Sequence, residues 1–294
     1  MIGFENIELI SDKPFDAWLD ELADCVAKNP DKVLIASIME EYNKDAWIEI
    51  TERVQETGVD GFELNFSCPH GMPERKMGMA MGEHPEIVEE VTGWVRSATK
   101  LPVWAKMTPN ITDITVPAGA ALKGGADGIA AINTILSVLG VDLKSLRPLP
   151  TVEGYAVPGG YSGQAVRPIA LRNVMQLAAK FPDLAISGMG GVETAEDAAQ
   201  FILLGATTVQ VCTGAMLQGY KMIDHLCQGL SDFMDEHGFK SIEEFRGHSL
   251  QYFSTHADLV NRQRQAKIAK AGTNNRDGMW KGDIAKETEN LIVN

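Results

Sequence analysis

The sequence has no apolar segment approaching the length of a membrane span, and it does not begin with a basic region followed by an apolar core. It also lacks an excess of basic residues. Its 294 residues carry a formal net charge of −14, which disfavours broad binding to nucleic acids or to anionic membranes. We therefore expect a cytoplasmic protein with no membrane partner and no nucleic-acid partner.

Metal-binding patterns are missing as well. No two of the four cysteines form a C-x-x-C pair, so the sequence predicts neither a zinc ribbon nor an iron–sulfur cluster. The six histidines do not follow the H-E-x-x-H spacing or a comparable one. We expect no metal site in this chain, and reduced thiols, as is usual in the cytosol.

Short and almost wholly apolar runs predict buried strands, and helical patterns separate them. The predicted strands cover residues 33–39, 61–64, 101–108, 128–134, 184–187 and 208–212. The predicted helices cover residues 14–29, 44–57, 85–99, 114–123, 168–180 and 194–203, with a last helix from about 215 to 230 and a short one near 241–246. This alternation predicts a parallel sheet with right-handed crossovers.

A closed (β/α)8 barrel needs eight such units, whereas about six can be counted here. The first clear strand begins near Val33, so we predict an α/β protein with a TIM barrel that lacks its first two β/α units in this chain. We expect residues 1–256 to form this barrel domain and residues 257–294 to form a polar, irregular C-terminal extension. A glycine- and proline-rich insertion at 135–166 interrupts the alternation. A doubly wound sheet is disfavoured because no G-x-G-x-x-G turn follows a first strand.

The stretch Asn65-Phe66-Ser67-Cys68-Pro69-His70-Gly71 lies where a predicted strand ends, because Pro69 prevents the strand from continuing. In a parallel barrel this end of the strands carries the chemistry, and loops over it act as lids. Residues 71–79 are rich in glycine and flexible side chains, which predicts such a mobile loop. Taken alone, Cys68 is either a reactive thiol or a small buried hydrophobic residue.

Lys106 lies within an otherwise apolar strand, where a lysine is costly unless it meets an anion or a hydrogen-bonding partner. It is therefore either a functional residue or a lysine whose ammonium reaches solvent at the barrel rim. Glycine-rich turns at 188–191 and 212–214, with Gly163 before them, suit phosphate binding through backbone N–H groups. These features predict a phosphate-bearing cofactor across the barrel mouth, with Lys106 stabilising negative charge on a reduced flavin ring.

Several of these segments carry a family resemblance. They are similar to the flavin domain of dihydropyrimidine dehydrogenase, which also forms the catalytic subunit of the bacterial NAD-dependent enzyme and is kin to the dihydroorotate dehydrogenases. The segments are Asn6-Ile7-Glu8-Leu9-Ile10-Ser11, Ile35-Ala36-Ser37-Ile38-Met39, the stretch from Asn65 to Gly71, Ala105-Lys106-Met107-Thr108-Pro109-Asn110, Gly124-Gly125-Ala126-Asp127-Gly128 and Asn133-Thr134. The resemblance covers about residues 3–250.

The resemblance implies an FMN-dependent enzyme that reduces the 5,6 double bond of uracil or thymine, with Cys68 as the general acid. By matching position, the implied pyrimidine-binding residues are Asn6, Asn65, Ser67, Asn133 and Thr134. The implied FMN-binding residues are Lys106, Gly163, Gly190, Gly191, Cys212 and Thr213. NAD(P)H is the implied ultimate electron donor, acting through an electron-transfer partner subunit or domain, since this chain encodes no iron–sulfur cluster. A homo- or hetero-oligomer is expected.

Two other functions stay open. A dihydroorotate dehydrogenase-like flavoenzyme would favour extra cations for the orotate carboxylate, and Lys106 is the one candidate in the sequence. The other alternative is a truncated, non-catalytic relative that acts as an assembly subunit. It follows from the missing strands, which in the family supply further flavin contacts, including a lysine on the second strand.

Overall fold

The structure is a computed structural model that describes residues 2–7, 11, 13–69 and 75–272. The chain divides into two compact units, Met1–Leu250 and Gln251–Asn294. The predicted domain bounds, 1–256 and 257–294, stay predictions. His70 and residues 71–74 of the predicted mobile loop lie outside the described residues. None of the helices in the described ranges is long and apolar enough to cross a membrane, and the expected cytoplasmic location stays a prediction.

The described residues form eleven strands and ten α-helices. The strands are β1 (Phe4–Asn6), β2 (Ile35–Ile38), β3 (Gly61–Phe66), β4 (Val103–Met107), β5 (Gly128–Ala131), β6 (Ile135–Ser137), β7 (Gly140–Asp142), β8 (Arg147–Leu149), β9 (Gly159–Ser162), β10 (Ala185–Met189) and β11 (Thr208–Gln210). The helices are α1 (Phe15–Lys28), α2 (Lys44–Gln55), α3 (Met79–Gly82), α4 (Pro85–Ala98), α5 (Thr115–Lys123), α6 (Arg167–Lys180), α7 (Ala195–Leu203), α8 (Thr213–Gln218), α9 (Met222–His237) and α10 (His256–Gly272).

The main sheet has six parallel strands in the order β11-β10-β5-β4-β3-β2. These are the six strands that the sequence predicts, and the helices between them fall where the helical patterns do. Each strand pairs with its neighbour in the predicted alternation, so the parallel α/β architecture is confirmed. Within the described ranges, β2 and β11 are the two edges of this sheet.

The two faces of the main sheet differ in chemistry because side chains alternate along a strand. The fully buried apolar residues on one face include Phe62, Leu64 and Phe66 of β3 and Val103, Ala105 and Met107 of β4. Phe66 contacts Trp47 of α2, with 6.2 Å between the ring centroids, so this face packs against the helices. Glu63, Asn65 and Lys106 occupy the other face, where Asn65 and Lys106 stand opposite each other in the register.

Local capping chemistry fixes where several helices begin. Asn43 accepts hydrogen bonds from the backbone N–H groups of Asp45 and Ala46 at the start of α2. Thr194 and Asp197 form a reciprocal capping box at the start of α7. These ends satisfy N–H groups that have no partner inside the helix.

The predicted insertion at 135–166 folds into small antiparallel sheets. β9 pairs with β6 and with β1, and the second pairing places Asn6 opposite Gly160. β7 and β8 form a separate hairpin. β1 was not predicted because three residues give no period to recognise. Its pairing with β9 brings the N-terminal residues 4–6 to the carboxyl ends of the parallel strands.

The two segments predicted to be irregular have different outcomes. The mobile loop 71–79 stays a prediction, and its last residue, Met79, begins the short helix α3 and donates its backbone N–H to the carbonyl of Cys68 at 3.0 Å. The extension expected to be irregular from residue 257 was predicted wrongly for the described residues, which are helical through α10. Its residues, mostly alanine, glutamine and basic side chains, have high helix propensity, but their polarity leaves no apolar period to detect.

We predict that Phe66→Ala lowers the free energy of unfolding by about 3–5 kcal/mol, because it leaves a cavity beneath Trp47. Val116→Ala on α5 is the control, since Val116 is 53% exposed and its loss should change stability by less than about 0.5 kcal/mol. Urea unfolding of both variants measures the difference. Equal losses would contradict the assignment of this face to the core.

Candidate active site

A cavity of about 470 Å³ opens at the carboxyl ends of the parallel strands and is bordered by β1 and β9 of the small sheet. It collects side chains from the strand ends and turns that the sequence analysis singled out. The predicted site residues that line it are Asn6, Lys106, Asn133, Thr134, Gly163, Gly190, Gly191, Cys212 and Thr213. Asn65, Ser67 and Cys68 are not part of its wall, and they are connected to it through Asn133.

An amide and hydroxyl cluster links β3 to the residues after β5. The side-chain N–H of Asn133 donates to the Ser67 hydroxyl at 2.9 Å, and that hydroxyl donates to Asn65 Oδ1 at 2.9 Å. Asn65 Oδ1 also accepts the backbone N–H of Cys68 at 2.9 Å. The half-buried Cys68 is therefore held at the strand end by a predicted binding residue.

Thr134 is held in place from two sides. Gly160 approaches it so closely that a Cβ at Gly160 would lie 2.3 Å from Thr134 Oγ1, which explains why glycine stands there. The side chain of Asn110 donates to the Thr134 carbonyl at 3.3 Å and accepts the backbone N–H of Leu136 at 2.9 Å. Asn110 was not predicted as a site residue, although it follows the Lys106 strand in the motif already noted.

Lys106 meets an anion inside the sheet. Its Nζ lies 3.0 Å from Oε1 of Glu63, and the two side chains are 19% and 9% exposed. Lys106 thus meets one of the two kinds of partner expected for it, an anion or a hydrogen-bonding group, and its ammonium does not reach into solvent. Its functional role stays a prediction. Glu63 was not predicted as a site residue, yet it carries the same signal as Lys106, a charge within an apolar strand.

Three glycines give one part of the cavity a wall of bare backbone. Gly163, Gly190 and Gly191 have φ values of +89°, +130° and +73°, which side-chain-bearing residues rarely adopt. A Cβ at Gly191 would lie 2.6 Å from the Gly163 carbonyl oxygen, so the two turns touch. The hydroxyls of Ser162 and Thr213 are 3.0 Å apart, which brings the start of α8 to the same place.

A partly buried ion pair supports the Gly190–Gly191 turn from behind. Arg167 of α6 pairs with Asp197 of α7 at 2.5 Å and donates to the Gly191 carbonyl at 3.3 Å. Asp197 in turn accepts the backbone N–H groups of Glu193 and Thr194. Within the described ranges, no cluster of three or more His, Cys, Asp or Glu side chains has a geometry that would hold a metal ion.

We predict that Gly191→Ala destabilises the protein more than Gly238→Ala does. Gly238 has a matching φ of +74° but open space around it, so the second substitution carries the backbone cost of roughly 1 kcal/mol alone. At Gly191 the new Cβ also meets the Gly163 carbonyl. Urea unfolding compares the two variants, and equal losses would show that the two turns are not in contact.

Comparison with known proteins places the chain in a family. The family model described as dihydroorotate dehydrogenase matches residues 4–234. The chain is 57% identical over 304 residues to the chloroplastic dihydropyrimidine dehydrogenase (NADP(+)) of Arabidopsis thaliana, covering 100% of this chain and 71% of that protein. It is 48% identical over 248 residues to the NAD-dependent dihydropyrimidine dehydrogenase subunit PreA of Escherichia coli, covering 84% of this chain and 60% of that subunit.

A solved structure supports the fold. DHODH from Eimeria tenella, crystallised in complex with ferulenol, superposes with a TM-score of 0.65 at 21% identity, covering 80% of this chain and 68% of that one. The predicted fold class, an α/β barrel of the dihydroorotate dehydrogenase type that lacks its first two β/α units in this chain, is thereby confirmed as a curled, six-stranded parallel half-barrel in the described residues. The chain belongs to the dihydroorotate dehydrogenase family of oxidoreductases, and the resemblance to dihydropyrimidine dehydrogenase that its motifs predicted is confirmed.

Proposed function

We propose that the chain is the FMN-binding catalytic subunit or domain of a dihydropyrimidine dehydrogenase, which reduces the 5,6 double bond of uracil or thymine in pyrimidine catabolism. One observation carries this proposal. A single cavity combines a wall of bare glycine backbone with a lysine, and it adjoins a hydrogen-bonded amide cluster that holds Cys68.

The residues present fit FMN on two counts. The cavity volume of about 470 Å³ lies in the range of small-molecule sites, roughly 300–1,000 Å³. The turns at Gly163 and Gly190–Gly191 place backbone without side chains at the cavity wall, as suits a phosphate group. We assign the phosphate to these turns with Cys212 and Thr213, and the flavin ring to the part of the wall that Lys106 forms. When bound and reduced, FMN supplies the hydride that is added to C6 of the pyrimidine.

The amide cluster suits one planar base. Oδ1 of Asn65 already accepts hydrogen bonds from Ser67 and Cys68, so its NH2 group is the part left to donate to a ring carbonyl. Asn133 is oriented by Ser67 and by the Thr134 amide, which donates to its Oδ1 at 2.7 Å. We propose that Asn65 binds the base as a direct donor. The other base-binding residues that we propose are Asn6, Ser67, Asn133 and Thr134.

Cys68 is the proposed general acid. Its thiol transfers a proton to C5 while C6 receives the hydride, so the double bond gains two electrons and two protons from the two sources together. The thiolate then regains a proton from water. A thiol is suited to this step because its ordinary pKa of about 8.5 lets it donate a proton near neutral pH.

The electrons are proposed to come from NAD(P)H through a partner. The Escherichia coli relative is named a subunit of an NAD-dependent enzyme, and this chain spans 60% of that subunit and 71% of the Arabidopsis protein. We propose that this chain likewise works within a homo- or hetero-oligomer and receives electrons from an electron-transfer subunit or domain.

The function is tested by loading the chain with FMN, reducing the flavin without oxygen, and mixing it with uracil or with orotate. Uracil should reoxidise the flavin, because the described cavity lining offers amides for the base and, besides Lys106, no cation for a carboxylate. Orotate should leave it reduced. Reoxidation by orotate alone would favour the dihydroorotate dehydrogenase alternative, and a chain that binds no FMN would favour the non-catalytic one.

We predict that Cys68→Ala slows uracil reduction by about 10²–10⁴-fold, the usual contribution of a general acid, and leaves FMN bound. Cys25→Ala is the control, since Cys25 is exposed on α1 and does not line the cavity. Stopped-flow reoxidation gives the rate, and flavin absorbance gives the occupancy. An unchanged rate in Cys68→Ala would remove the thiol from the reaction.

A further inference from the structure

Glu63 binds two residues of the cavity wall at once. Its Oε1 accepts from Lys106 at 3.0 Å, and its Oε2 accepts from the side-chain amide of Gln210 at 2.9 Å. Lys106 and Gln210 both line the cavity, whereas Glu63 is not part of its wall. The carboxylate therefore lies behind two wall residues and holds each of them by a separate oxygen.

The topology explains how these three side chains meet. Asn65 stands opposite Lys106 in the register of β3 and β4, and Glu63 is two residues before Asn65 on the same face. Gln210 comes from β11, which is separated from β3 by three intervening strands. The hydrogen bond between Glu63 and Gln210, which are 147 positions apart in the sequence, therefore spans the polar face of the curled sheet. The hydroxyl of Ser187 on β10 extends this hydrogen-bond network, because it accepts a hydrogen bond from the Gln210 side chain at 3.0 Å.

Stability does not explain this arrangement well. Burying two charges costs desolvation energy that their attraction seldom exceeds, so apolar residues of similar size would serve a core at least as well. A buried pair does, however, fix the position of a flexible side chain. Lysine has a long, rotatable stem, and a charge-assisted hydrogen bond removes most of its freedom.

We propose that Glu63 is a positioning residue for Lys106. Its carboxylate, held by Gln210, keeps the ammonium of Lys106 at the cavity wall, where it faces the bound flavin. This inference rests on the proposed function for the identity of the ligand. Glu63 acts on flavin binding indirectly, through the position of Lys106. The length of its side chain, which lets it contact both Lys106 and Gln210, matters more than its charge.

Two conservative substitutions separate the effect of the length of the Glu63 side chain from the effect of its charge. Glu63→Asp keeps the negative charge but shortens the side chain by one methylene, so it cannot contact both Lys106 and Gln210. Glu63→Gln keeps the length and an acceptor oxygen for Lys106 but removes the charge. Each is combined with Lys106→Met, which removes the ammonium, and the FMN dissociation constant is measured for each chain from the quenching of flavin fluorescence.

Positioning predicts a definite order of affinities. Glu63→Asp should weaken FMN binding by about tenfold, the equivalent of one charge-assisted hydrogen bond. Glu63→Gln should leave the FMN dissociation constant within about threefold of the wild-type value. In the Lys106→Met background, Glu63→Asp should change the dissociation constant by less than about twofold. A loss in Glu63→Gln with none in Glu63→Asp would overturn the proposal, as would an equal effect of Glu63→Asp in both backgrounds.

A second measurement uses the flavin-free chain and does not depend on FMN. In a urea-unfolding cycle over Glu63→Gln and Lys106→Met, the double variant should lose less stability than the two single losses combined, since each single change leaves a buried partner behind. Additive losses would overturn the pairing. A wild-type chain that binds no FMN would instead overturn the proposed function, and this cycle would still decide whether Glu63 holds Lys106.

Discussion

The division of the parallel sheet into an apolar and a polar face is the constraint on which the site depends. Side chains alternate along each strand, so residues such as Phe62 and Leu64 pack on the helices while Glu63 and Asn65 are directed away from them. The polar face would be unfavourable without partners. The Glu63–Lys106 pair and its link to Gln210 provide them, and in doing so bring β3, β4 and β11 to one cavity.

The small antiparallel sheet and the parallel strands form the cavity wall together. β1 and β9 border the cavity at the carboxyl ends, and β9 leads directly into the Gly163 turn. That turn contacts Gly191, which in turn is backed by Arg167 and Asp197. A segment that interrupts the β/α alternation thus supplies one side of the proposed cofactor site.

Local patterns in the sequence were enough for the six parallel strands, for the helices between them and for part of the cavity wall, namely Lys106, Asn133, Thr134 and the glycine turns, because strand ends and buried charges leave local signals. Lys106 was recognisable as a charge in an apolar strand. Gln210 was missed because its importance arises from its contact with Glu63, which lies 147 positions away in the sequence. Glu63 was missed although it is, like Lys106, a charge within an apolar strand. β1 was missed because three residues give no period to recognise and its partner strand β9 is distant in sequence. α10 was missed because a helix that is polar all round has no apolar period.

The most direct test of the account is an FMN titration of the purified chain followed by absorption spectroscopy, and then by addition of dihydrouracil without oxygen. We predict that flavin binds at one site per chain, with a spectrum shifted from that of free FMN, and that dihydrouracil bleaches it as the flavin is reduced. A chain that takes up no FMN, or a bound flavin that dihydrouracil leaves unchanged, would contradict the central claim that this cavity is a pyrimidine-reducing flavin site.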